Sequence, residues 1–371
     1  MTRIPFDQAE IDNATEVPGM FGMMTRTFAT PISARENYKL LYAREVPLWL
    51  PGSGDSSFFS PRIDDDNVAR CFAFEANPVT EDERNEIAEN GYKDKFGVTW
   101  IYVPSAGGSM VRPGAPTLTD VNDWKSVIPF PDVDSWEWSA SKEANANYLS
   151  ETRLRSATIL TGFFERLISW MDFEGAAEAL IDEDQQDAVL EAFDALADVY
   201  IKMVDKFIWA YDIDHLWFHD DWGSQRAPFF GLGTVRDMLV PAVKKVADYC
   251  HSRGVFFELH SCGKNEILVP AMIEANVDSW APQPMNDFNM LYETYGDKII
   301  ISGISADLPP FAPGAPPVSD EVAIKAAEDF VAKYCQYDTF KNKPIIGGGG
   351  WGAPPIFAET LYRETRKAFN P

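Results

Sequence analysis

Two short runs bring together residue types that do chemistry. In Glu258-Leu259-His260-Ser261-Cys262-Gly263 a carboxylate, an imidazole and a thiol recur at every second position. Side chains alternate faces along an extended strand. Val255, Phe257 and Leu259 therefore form one apolar face, and Phe256, Glu258 and His260 form the other, with Cys262 two residues beyond. Thiolate, imidazole and carboxylate are the donor set of zinc. Zinc would lower the thiol pKa or act as a Lewis acid on a substrate atom. The second run is His215-Leu216-Trp217-Phe218-His219-Asp220-Asp221-Trp222-Gly223-Ser224-Gln225. Leu216 and Phe218 share one face; His215, Trp217, His219 and Asp221 share the other. Two adjacent acids at a strand end can orient a histidine or move protons. The chain has 4 histidines, and two of them, His219 and His260, fall at these strand ends. Other readings stay open. A His-x-Cys tripeptide is common by chance, and cysteine is usually a buried, inert residue. Asp220 also suits a turn cap, and Glu258 suits a pair with a base on a neighbouring strand.

The elements that must position these residues follow from periodicity. Strands are predicted at 157–162, 215–220, 255–260, 277–282, 298–304 and 344–349. Helices are predicted at 182–209, 234–254, 266–276, 287–295 and 319–336. Along 182–209, Val189, Phe193, Leu196, Tyr200, Met203 and Phe207 recur at three- and four-residue spacing. Earlier, 33–43 reads as a helix with Ser33 as N-cap and Glu36 completing a capping box. Residues 46–51, 69–75 and 97–104 read as strands, 52–66 as a loop and 105–135 as an excursion. Strands joined through helices pair in parallel. The expectation is an α/β fold, a distorted (β/α)8 TIM barrel forming one domain over 1–371. Residues 1–150 would supply an N-terminal elaboration and the first strands, and 151–371 the regular part. A doubly wound open sheet is the competing arrangement. In a TIM barrel the active site lies at the C-terminal strand ends, where both runs fall.

Composition narrows the partners. The net charge is -25, and such a surface repels phosphate backbones and anionic lipid. Nucleic acid and membrane partners are not expected. The 4 cysteines do not suggest a disulfide framework, and Cys71, Cys250 and Cys335 read as structural. No long apolar stretch suggests a membrane span, and 1–16 lacks the apolar core of a signal peptide. A cytoplasmic location is expected. The glycine run 347–350 permits close backbone approach to a ligand, but it lacks the lysine and Ser/Thr of a P-loop. Trp351 beyond it suits a pocket wall or the core.

The stretches "LIDEDQQDAVLEAFDALADVYIKMVDKFIWAYDIDHLWFHDDWGSQ" and "FFELHSCGKNEILVPAMIEANVDSW", with the opening "ISARENYKLLYAREVPLWLP", resemble the uroporphyrinogen decarboxylase superfamily. The likeness covers most of the chain and implies a distorted β/α barrel. True decarboxylases carry an arginine-containing run just after the first strand. Here that place reads Pro51-Gly52-Ser53-Gly54-Asp55, with no basic residue until Arg62. His260-Ser261-Cys262-Gly263 is similar instead to the cobalamin-associated methyltransferase branch, where the His and Cys bind zinc with a further Cys near the last strand. The glycine run stands in that place here, Cys335 comes too early, and a family acid is replaced by Gln283. The resemblance therefore implies zinc on His260 and Cys262, completed by His219, Asp221 or Glu258. It implies methyl transfer between a small methylated compound, such as a methyl ether, and a corrinoid carried by a partner protein. Asp220, Asp221 and Glu258 would act as acids, bases or orienting groups, and Trp222, Gln225 and Trp351 would shape the pocket. Two other readings are carried: a metal-free decarboxylase-like lyase using Arg62, Arg153 or Arg166, and a non-catalytic barrel that binds a small ligand.

Overall fold

A computed structural model describes residues 3–18, 24–105, 107–112, 114, 116–308, 317–348 and 353–370. Trp351 and glycines 349 and 350 lie outside the described residues. Contacts divide the chain into two units, one of 58–149 with 155–277, the other of 1–57, 150–154 and 278–371.

Both candidate runs belong to the first unit. Its sheet holds β1 (Leu154–Ile159), β2 (His215–His219) and β3 (Phe256–His260). They are parallel and consecutive: Ser156 pairs with His215 and Ile159 with Phe218, while His215 pairs with Phe256 and His219 with His260. Helix α1 (Phe163–Ala179) follows β1, and α2 (Gln186–Tyr211) leads into β2. Helix α3 (Val240–Ser252), entered through a wide turn at Val235–Leu239, leads into β3. The six α2 residues picked out by periodicity are all buried. Each such burial contributes about 1.5–3 kcal/mol, which is why this helix is legible from spacing alone. Helix α1 was not predicted. It breaks at Asp172 (φ 68°), whose side chain then accepts from Gly175 N at 3.0 Å.

The predicted strand at 46–51 is corrected to an irregular buried segment. Leu48, Trp49 and Leu50 are buried, but their partner is a side chain. Asn37 accepts from Leu48 N at 2.7 Å and donates to Trp49 O at 2.9 Å, filling the place of a neighbouring strand. The 52–66 loop instead contains a strand, Ser56–Phe59. The 69–75 strand reduces to one bridge, Ser60 to Phe74. Asp64 caps a short helix, Asp65–Ala69, through Asp66 N, and the aromatic run that follows has no strand to pair with along its length. Residues Thr99–Val103 do form a strand, inside an antiparallel ribbon with Tyr92–Lys93 and Gly108–Val111.

A buried ionic cluster ties this excursion to α1. Arg166 Nη1 donates to Asp94 Oδ2 at 2.6 Å, and Arg166 Nη2 donates to Asp66. Lys95 Nζ bonds Asp64 at 2.8 Å and Asp66 at 2.7 Å. Trp100 Nε1 adds a bond to Asp94 at 2.9 Å. All five charged side chains are buried.

The second unit repeats the parallel pattern with β4 (Ser279–Trp280), β5 (Ile300–Ile304) and β6 (Ile345–Gly347). Helices Phe288–Tyr295, Asp320–Tyr334 and Pro355–Phe369 accompany them. The capping box at Ser33 is formed as expected, with Glu36 N donating to Ser33 Oγ at 3.1 Å and Ser33 N to Glu36 at 3.0 Å. Gly347 and Gly348 both have positive φ, and a Cβ at 347 would lie 2.3 Å from Ile304 O. At that position the missing side chain permits close strand approach. Strand–helix alternation with parallel pairing makes this an α/β fold of the TIM-barrel class. No helix among the described residues is long and apolar enough to cross a membrane.

Candidate metal centre

The register of β2 and β3 fixes the site. His219 and His260 are lateral partners on adjacent parallel strands, so their rings lie side by side, 5.0 Å apart and 18° from parallel. Trp217, one layer below, packs against His260 at 4.6 Å and His219 at 5.4 Å. Two residues beyond each histidine the chain delivers Asp221 and Cys262. His219 Nε2 is 3.7 Å from Asp221 Oδ1, and His260 Nε2 is 3.4 Å from Cys262 Sγ. Cys262 N donates to Asp221 Oδ1 at 2.6 Å, which locks the two rim loops together. Potential ligand atoms of His219, Asp221, His260 and Cys262 all lie within 4.8 Å of one another. His219 is buried, and the other three are half-buried at the rim.

Loop contact requires glycine. Gly263 has φ 102°, and a Cβ there would sit 2.3 Å from the carbonyl carbon of Gly223. Lys264 N also donates to Ser224 O at 2.8 Å, and Asn265 holds Cys262 O at 2.7 Å. The rim is thus a braced structure, although it is built from loops.

The electrostatics of the four donors differ. Burial, reinforced by the charge of His219, pushes His260 down to about 3, so it is a neutral imidazole with a lone pair to give. Burial and then the charge of Asp221 push the Cys262 thiol well up. Burial alone would lower His219, but Glu165 and Asp221 outweigh it and hold the imidazole above its ordinary value. Burial alone would raise Asp221, but the charge of His219 and the Cys262 N–H outweigh it and hold the carboxylate below its ordinary value.

The other sequence-predicted residues are placed as follows. Asp220 lies on the face of Leu216 and Phe218, fully buried. It accepts from Phe164 N at 3.1 Å, Glu165 N at 2.9 Å and Trp222 Nε1 at 2.9 Å. It therefore anchors the N-terminus of α1. Trp222 is fully buried and its indole is spent on that bond. Glu258 is buried one layer below His260, 4.0 Å from His215 Nε2. Gln225 is exposed on the turn closed by Ser224 N and Ala227 O. Sequence reasoning missed two residues. Glu165 Oε2 lies 2.5 Å from His219 Nδ1, and Arg70 Nη2 donates to Glu165 Oε1 at 3.2 Å. The signal for Glu165 was its place just past the end of β1, where the rule applied to β2 and β3 also pointed.

Burial, with the charge of Glu165 added, pushes Asp220 up to about 7 despite its three N–H donors. Burial likewise pushes Asp55 and Asp64 up to about 6. A carboxyl raised in the fold stabilises at low pH and loses that contribution as pH rises through its folded value. Urea midpoints of the protein are therefore expected to fall between about pH 5 and 7.5, with part of that slope abolished in Asp220→Asn. An unchanged slope in the variant would show that Asp220 is already ionised at pH 5.

No family model matches the chain, and no curated protein matches it. Among solved structures, a methyltransferase from Methanosarcina mazei superposes on 92% of this chain and 100% of its own, with a TM-score of 0.54 and 12% identity. The IOLI protein, solved with a zinc atom, aligns with 64% of this chain and 80% of its own at a TM-score of 0.30 and 12% identity. A sugar phosphate isomerase/epimerase from Parabacteroides distasonis aligns with 62% and 80%, at 0.31 and 10% identity. What the chain shares with the first is its fold, α/β of the TIM-barrel class.

Proposed function

We propose that this protein is a zinc-dependent methyltransferase, the demethylating component that moves a methyl group from a small methylated compound, such as a methyl ether, to a corrinoid on a partner protein. The carrying observation is the convergence of His219, Asp221, His260 and Cys262 from two adjacent strand ends. Donor atoms around a tetrahedral zinc stand about 3.3–3.8 Å apart, given bonds of about 2.0–2.3 Å. The His219–Asp221 and His260–Cys262 separations of 3.7 and 3.4 Å meet that spacing without movement. The 4.8 Å limit on the remaining pairs leaves about 1 Å to be closed by side-chain rotation. The donor chemistry fits as well. A thiol held protonated beside a carboxylate becomes a thiolate ligand when a divalent cation arrives. Zinc bound there would supply Lewis acidity toward the heteroatom of the leaving group.

The protein's own groups have separable tasks. His260 offers Nε2 as a neutral base, and Trp217 packed against its ring holds the plane. Asp221 orients the Cys262 backbone. Asp220 sets the start of α1, and with it Glu165. Glu258 supports the layer beneath the histidines. Gln225 is exposed where a substrate would arrive, whereas Trp222 acts from below through Asp220. The methyl-transfer reading is further supported by the resemblance of the His260-to-Gly263 run and by the methyltransferase fold likeness. The lyase reading loses its arginines: Arg62 pairs with Glu83, Arg166 with Asp66 and Asp94, and Arg153 bonds Ser56 O.

The test loads the protein with zinc and offers free cob(I)alamin with a panel of methyl ethers, methylamines and methyl thioethers. Zinc-dependent formation of methylcobalamin, followed by absorbance, is expected with one class. Absence of methyl transfer across the panel, with carbon dioxide released from a pyrrole carboxylate, would replace the reading with the lyase.

A further inference from the structure

We infer that Glu165, clamped by Arg70, is a positioning residue that fixes the tautomer of His219 and turns Nε2 toward the other three donors. Its second consequence, for metal affinity, rests on the metal-centre reading above.

Glu165 lies in the first turn of α1, and its backbone N–H is held by Asp220 at 2.9 Å. Its side chain has two engaged oxygens. Oε2 lies 2.5 Å from His219 Nδ1, and Oε1 accepts from Arg70 Nη2 at 3.2 Å. Arg70 is itself fixed. Its Nη1 donates to Leu160 O at 2.8 Å, and its guanidinium lies 5.0 Å over the Trp100 ring. Arg70, Glu165 and His219 are 15%, 12% and 9% exposed at their side chains, so this chain of contacts works with little solvent screening. An ionised carboxylate is acceptor-only, so the atom of His219 that faces it carries a proton. On the neutral ring, or once a cation displaces the Nε2 proton, Nε2 is then the atom with the lone pair, 3.7 Å from Asp221 Oδ1. A histidine that ligates metal through one nitrogen usually gives its other N–H to a carboxylate or carbonyl, and loss of that partner costs about 10–100-fold in metal affinity.

The excursion that precedes β1 supplies the clamp. Asp66 on the helix Asp65–Ala69 binds Arg166, and Arg70, at the end of the same helix, binds Glu165. Arg166 and Glu165 are neighbours on α1. The buried ionic cluster therefore sets the distance from Arg70 to Glu165.

Glu165→Gln tests this with little change in volume. Arg70 faces the side chain with two donors, so the single amide oxygen turns to Arg70 and the NH2 turns to His219. A donor opposite Nδ1 takes away its proton site. Imidazole 15N spectra of metal-free protein, recorded upward in pH until the His219 ring is neutral, report this directly. His219 is assigned by comparison with His219→Asn. The expected result is protonated Nδ1 in the parent and protonated Nε2 in both Glu165→Gln and Glu165→Ala. Zinc affinity, read by chelator competition, should fall about 10–100-fold in both variants. On the neutral ring, Nδ1 remaining protonated in the variants, or Nε2 protonated in the parent, overturns the inference. Unchanged zinc affinity in both variants overturns it too, while leaving the proposed function standing. A tautomer switch in a parent that takes up no zinc does the reverse: it supports the role of Glu165 and removes the metal centre.

Discussion

On the proposed function, the parent is expected to carry near-stoichiometric zinc, and Cys262→Ser to lose it and to slow methyl transfer by about 10²–10³-fold, the several kcal/mol that a Lewis acid supplies. The argument starts from the thiol. Burial and the Asp221 carboxylate hold it protonated, and only a cation close to the sulfur reverses that balance. Serine fills nearly the same space but does not ionise at neutral pH, so the variant keeps the loop and loses the anion. Because binding displaces the thiol proton, and that of His219 Nε2 where the ring is charged, zinc affinity of the parent should rise at least about tenfold per pH unit. Elemental analysis of both proteins, with chelator competition between about pH 6 and 8 for the parent, measures each part. Equal zinc in parent and variant would move the metal to another site. No zinc in either, after growth in zinc, would end the metal-dependent mechanism and leave the lyase and ligand-binding readings.

Strand alternation made much of this site legible. Once His215–His219 and Phe256–His260 are read as neighbouring parallel strands, two-residue periodicity puts His219 with Asp221 and His260 with Cys262 on one face. The same rule places Asp220 on the face of Leu216 and Phe218, where the structure buries it as an anchor. Choosing between two adjacent acids was thus within reach of the pleat. Glu165 was signalled only by its place past the end of β1, and Arg70 not at all. They stand 54 and 149 positions before His219, on a helix start and on an excursion whose capping and ion pairs depend on tertiary contacts. Residues 46–51 misled for a related reason. Their apolar content records burial truly, but the side chain of Asn37 serves the backbone there, and composition carries no trace of that substitution. Periodic helices such as α2 were readable because one face alone explains them.

Arg166→Met is expected to lower the unfolding free energy by about 3–5 kcal/mol, the cost of breaking a buried ion pair from one side. Three carboxylates, Asp64, Asp66 and Asp94, face two cations, Lys95 and Arg166, with all five side chains at most 1% exposed. Burial already pushes Asp64 up to about 6. Asp66 would also rise on burial, but Arg166 and then Lys95 outweigh it and hold it below its ordinary value. Methionine matches the stem of arginine and removes the charge, so the cost is that of leaving Asp66 and Asp94 buried without their shared partner. The sign of the pH effect follows. Without Arg166, Asp66 takes up a proton more readily in the fold than in the unfolded chain, and a raised carboxyl loses its stabilising contribution as pH rises. The deficit of the variant should therefore shrink toward pH 5 and grow toward pH 8. Urea unfolding of both proteins across that range measures it, and a deficit independent of pH would assign the loss to packing against Phe96, whose ring lies 4.4 Å from the guanidinium. The same cluster sets the place of Arg70, so the variant should also weaken the hold on Glu165. Zinc affinity measured on folded Arg166→Met, below its unfolding midpoint, should fall in the direction of Glu165→Ala by a smaller factor, because Arg70 keeps its bond to Leu160 O.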